Sequence, residues 1–65
     1  MTEVDHRDRR AIVTALDRES RADQQRILDT PESFRAWLRR TLPAVHARVA
    51  HRSEELWAWL RLAFA

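Results

Sequence analysis

Residues 30–43 read TPESFRAWLRRTLP, and the reading of this stretch decides the fold. Thr30 is a preferred capping residue, Pro31 carries the fixed φ of a first helical position, and Glu32 sets a negative charge against the positive end of a helix dipole. At about 100° per residue, Phe34, Trp37, Leu38 and Leu42 gather on one side of a helix, while Arg35, Ala36, Arg39 and Arg40 fall on the other. Pro43 disfavours helical geometry at Leu42 and is itself suited to open a new helix, so a sharp corner is expected over 41–43. The spacing therefore predicts an amphipathic helix over 31–41 with a defined start and stop.

Working back toward the N-terminus, Ser20 followed three residues later by Asp23 has the arrangement of a capping box. It predicts a short helix over 21–29 that ends on Ile27 and Leu28. Before it, Ala11, Ile12, Val13, Ala15 and Leu16 form the apolar side of a first helix over 3–18, with solvated opening turns. Working forward, Val45, Val49, Leu56, Trp59, Leu60 and Ala63 share one stripe of a last helix over 44–64, with Arg52 inside the stripe. Ser53 is the one candidate for an interruption, as the cap of a new helix; the reading favours a single continuous helix.

The chain has 65 residues, no glycine, two prolines and no cysteine. With no alternating β-branched run, the class is all-α, a single domain over 1–65. A chain of this size buries only about 60% of its unfolded surface. Without disulfide or metal staples, a small bundle of three or four short helices completed by oligomerisation is expected, a homodimer joined through the last helix. The first ten residues are mostly charged and contain no apolar signal core, so the expected location is the cytoplasm. The least charged stretch, LWAWLRLAFA over 56–65, has about half the ~20 residues a membrane span requires.

All twelve basic side chains are arginine, set against ten acids. They are unevenly spread: residues 1–33 hold eight acids and six arginines, and residues 34–65 hold six arginines and two acids. An acidic-leaning half thus precedes a basic one, either to complement it within the bundle or to steer a charged partner.

No motif for catalysis, cofactor or metal binding stands out, and none is assigned. His46 and His51 are five residues apart and point about 140° from each other, which rules out the i, i+4 pair of a helical zinc site. His51 and Glu55 have the spacing of a solvated ion pair. Asp5-His-Arg-Asp8 crowds carboxylates and a histidine near a terminus without an inferable pocket. There is no thiol nucleophile, two of the three serines are better explained as caps, and phosphate loops need glycine.

The remaining reading is a non-enzymatic protein-interaction module, an adaptor, regulator or inhibitor that binds another protein, itself, or both. Trp and Arg are enriched at binding hot spots. Trp37 and Trp59 are expected in the core, whereas Trp57, Leu62 and Phe64 lie off the stripe of the last helix and form a second face for a partner. Two alternatives carry less weight. Arg35, Arg39, Arg40, Arg48 and Arg52 form a possible basic stripe for nucleic acid or another polyanion. Trp and Arg in the last helix suit a membrane surface, against which Glu54 and Glu55 count.

Overall fold

The computed structural model describes the backbone of residues 2–65 and the side chains of residues 6–65. All regular structure among them is helical. It comprises α1 (Thr2–Asp17), α2 (Arg21–Ile27), α3 (Pro31–Thr41), α4 (Pro43–Val49), a 3-10 turn (Ala50–Arg52) and α5 (Ser53–Ala63). The last three follow one another without a loop, so the chain forms four helical arms, the last of them bent.

Each boundary has a local cause. The hydroxyl of Ser20 accepts a hydrogen bond from the Asp23 backbone N–H at 3.1 Å and opens α2. The start of α3 is doubly capped. Thr30 Oγ1 accepts from Ser33 N at 3.0 Å, and Ser33 Oγ accepts from Thr30 N at 3.1 Å. Ser33 Oγ also donates to the Ile27 carbonyl oxygen at 2.8 Å, so one side chain ties the end of α2 to the start of α3. At the corner before Pro43, Leu42 adopts φ −134° and ψ 68°, outside the helical region as the following proline requires. The end of α1 is closed by a backbone turn and a side chain together: the Leu16 carbonyl oxygen accepts from Glu19 N at 3.0 Å and from Gln24 Nε2 at 2.8 Å.

Helix α3 is the centre of the molecule, packing against α2, α4 and α5. It contributes Phe34, Trp37 and Leu38 to the core, with the first two rings stacked at 6.1 Å and 29°. Ile12 and Leu16 of α1, Ile27 and Leu28 at the end of α2, Val45 and Val49 of α4, and Leu56 and Leu60 of α5 complete it. The polar face of α3 is also as read, with Arg35, Ala36, Arg39 and Arg40 exposed.

Two expectations are corrected. The last helix is not continuous: it breaks at Ala50–Arg52, with Val49 at φ −115°, ψ 9° and Arg52 at φ −122°, ψ 15°. A regular helix would have carried Arg52 within the buried stripe; the break leaves its side chain part-exposed, 3.5 Å from Glu55. Ser53 does not cap α5. It is a buried first-turn residue whose hydroxyl accepts from Arg35 Nε of α3 at 3.2 Å. The second correction concerns α1, whose buried face begins earlier than expected. Asp8 is only 3% exposed and receives a two-pronged contact from Arg48 of α4. Arg48 Nε lies 3.1 Å from Oδ2, and the terminal nitrogen NH2 lies 2.8 Å from Oδ1.

Candidate protein-binding surface

The break at residues 50–52 sets which face of α5 is buried. A wheel drawn continuously from Val45 places Trp59 and Ala63 in the core and Trp57 outside it. Once the 3-10 turn uncouples α5 from α4, α5 buries Ser53, Leu56 and Leu60, with Phe64 packed partly against the same cluster. Around an axis pointed at Leu60, Trp57 lies about 60° to one side and Trp59 about 100° to the other.

The two tryptophans therefore exchange the places expected of them. Trp57 is half-buried against the core, and its Nε1 donates to the Leu28 carbonyl oxygen at 2.9 Å. Its ring is flanked by the Arg61 guanidinium, 5.3 Å from the centroid. The chain's own α2–α3 turn and Arg61 thus cover much of the Trp57 ring. Trp59, expected in the core, is 39% exposed, and Ala63 is exposed. Of the three residues expected to form the interface, Leu62 is 81% exposed, while Trp57 and Phe64 lean into the core. Among the described residues, the exposed large apolar side chains are Trp59 and Leu62, three apart on the outward side of α5.

Trp59 faces α1. The Arg9 guanidinium lies 4.8 Å from its ring centroid, and the two helices leave a groove between them. One part of this groove is a cavity of ≈ 350 Å³ lined by His6, Arg9, Arg10, Val13, Thr14 and Trp59. Trp59 also borders the cavities on either side, one reaching Arg21 and Phe64 and the other reaching Arg52 and Glu55. Arg9 Nε is buried without a hydrogen-bond partner among the described residues. The sequence signal for this site was Val13, which sits four residues after Arg9 and shares a flank of α1 with it; nothing local marked Trp59 as the residue opposite.

The five arginines of the expected polyanion stripe do not act alike. Arg48 is held by Asp8, Arg35 by Ser53, and Arg52 pairs with Glu55. Arg39 and Arg40 are exposed on α3 with no carboxylate partner among the described residues. The hydrogen bond to Asp8 raises the pKa of Arg48 above the ordinary arginine range; partial desolvation opposes this and the carboxylate's charge adds to it.

The histidines are dispersed: His6 and His51 are exposed and His46 is half-buried. Glu55 pairs with Arg52 rather than with His51, because the 3-10 turn breaks the helical spacing that an i, i+4 pair needs. Of the Asp5–Asp8 group, the Asp5 side chain lies outside the described residues, and Asp8 is committed to Arg48. No helix among the described residues is long and apolar enough to cross a membrane.

Comparison with protein-family models, with curated proteins and with solved structures finds no match.

Proposed function

We propose that this chain is a non-catalytic binding module that docks another protein on the outward side of α5, centred on Trp59 and Leu62. The observation that carries this reading is the exposure of both side chains on one flank of a helix whose other flank is fully used by the core. An exposed Leu alone is ordinary on a protein surface. A Trp beside it, at the middle of a groove, is a concentrated apolar anchor of the type that dominates binding energy. Trp57 and Phe64 support the site from beneath by fixing α5 on the α2–α3 turn.

Polyanion binding is the weaker reading, since three of the five arginines in its stripe are engaged within the chain.

The test is site-specific photocrosslinking in the source cells. A benzophenone side chain is placed at position 62 and, as a control, at exposed position 36 on the polar face of α3. A discrete adduct is expected from position 62, none of the same mass from position 36, and loss of the adduct on Trp59→Ala. Equal adducts at both positions, or none at 62, would overturn the reading.

A further inference from the structure

We propose that the groove between α1 and α5 seats an acidic amphipathic helix of a partner protein, its apolar side chains covering Trp59, Val13 and Leu62 and one of its carboxylates engaging Arg9. This rests on the binding reading above and names the chemistry of the partner.

Stacking a guanidinium on an aromatic face fixes its plane and leaves its in-plane N–H groups pointing outward along the ring surface. The Arg9 guanidinium lies over the Trp59 ring, 4.8 Å from its centroid, and no carboxylate among the described residues pairs with it. Its Nε is buried and out of a ligand's reach, so the edge formed by the two terminal nitrogens is the donor pair that suits a carboxylate arriving from outside. Arg48 shows the contrast within the same molecule: its fork is filled by Asp8.

Shape and charge restrict the occupant further. Two helices with a groove between them, in which Val13 of one and Trp59 of the other are the apolar lining, offer a setting in which a third helix can lay its apolar face. Among the described residues, the three cavities adjoining Trp59 are edged by Arg9, Arg10 and Arg21, by Asp17, and by the Arg52–Glu55 pair, a positive excess of two. A second copy of this chain, paired face to face across a two-fold axis, would bring the same positive excess against itself. An acidic helix meets complementary charge instead, which favours both encounter and register.

The probe is a 14-residue helical peptide with Leu at i, i+3, i+4 and i+7 flanked by Glu, compared with versions carrying Gln or Lys in place of Glu. The readout is the indole N–H resonance of each tryptophan in the full chain, identified by single Trp→Phe variants. The Glu peptide is expected to shift the Trp59 signal and leave Trp37 and Trp57 in place. It should bind at least tenfold more tightly than the Gln peptide at low salt, and the Lys peptide should not bind. Arg9→Gln should bring the Glu peptide down to the affinity of the Gln peptide. Arg9→Lys, which keeps the charge and loses the planar fork, should give an intermediate loss in a chain whose circular dichroism is unchanged.

Equal affinity for Glu and Gln peptides, or shifts confined to Trp37 and Trp57, would overturn the inference. So would a chain that sediments as a dimer and becomes monomeric on Leu62→Glu, with Trp59 perturbed by that dissociation. That last result would name a second copy as the occupant and leave the interaction reading intact. The crosslink at position 62 tests that reading independently of any peptide.

Discussion

The contact between Asp8 and Arg48 is unequal in its two halves. Asp8 is nearly enclosed, whereas the side chain of Arg48 keeps about half of its surface in water, 49%. Removing Arg48 strands a carboxylate in the interior, and removing Asp8 releases an arginine that water can solvate. Arg48→Ala should therefore lower the melting temperature more than Asp8→Ala, and the double variant should resemble Asp8→Ala alone, as differential scanning calorimetry can check. The sign of the pH dependence follows from the raised pKa of Arg48. A basic group held protonated in the folded chain stabilises it at every pH below its unfolded pKa, and this contribution is lost only as pH rises through the folded value. Deprotonation of Arg48 should cost no stability from neutral pH to pH 10. Ser33 makes a second residue-scale prediction, because its hydroxyl completes the cap of α3 and also meets the Ile27 carbonyl. Ser33→Ala should cost at least the ~1 kcal/mol typical of a cap, read as a lower urea midpoint with an unchanged slope.

At the scale of the helices, the elements with complete local signals were legible in the sequence. Thr30-Pro31 and Pro43 mark the two ends of α3, and its spacing of Phe34, Trp37 and Leu38 leaves only one face to bury. Ser20 likewise announces α2. The joint between α4 and α5 was not legible because it lacks any strong breaker: Ala50, His51 and Arg52 are all tolerated in helices. What decides it is tertiary, the demand that both α4 and α5 lay their apolar sides on α3. Since Trp57 and Trp59 lie about 160° apart around the helix, a turn of α5 about its axis exchanges their roles, and an uncertain joint became an error about which tryptophan is exposed. Ser33 and Gln24 were missed for another reason. Their hydrogen bonds reach across a turn to carbonyls of a neighbouring element, and no periodicity encodes that. Trp57→Phe removes the bond to Leu28 and part of the ring packed on the core, so it should cost more than the ~0.5–1.5 kcal/mol of the hydrogen bond alone. Trp59→Phe, at the exposed position, should change stability by about 0.5 kcal/mol or less in the same urea titration.

For the whole molecule, the radius of gyration of 10.7 Å agrees with the value of about 10.7 Å expected for a compact chain of this length. Compactness is reached with one core, so stability is concentrated in few side chains. Phe34→Ala should cost about 3–5 kcal/mol, a large share of what a domain this small possesses, and should abolish a cooperative thermal transition followed by circular dichroism. Leu62→Gln should leave that transition within a few degrees of its original position. The expected complementarity between the acidic-leaning and basic halves is met in part. Asp8–Arg48 joins the two halves, whereas Asp23–Arg26 and Arg52–Glu55 are local. This long-range clasp also orders events in time. The α2–α3 corner and the α3–α4 corner close over a few residues, while Asp8 must find a partner 40 positions away, at an entropic cost that grows with the length of chain closed. The first helix should then be the last to dock during folding and the first to leave. Its amide protons should exchange through an opening that keeps those of α3 protected. Arg48→Ala should speed unfolding in stopped-flow measurements while leaving the refolding rate nearly unchanged.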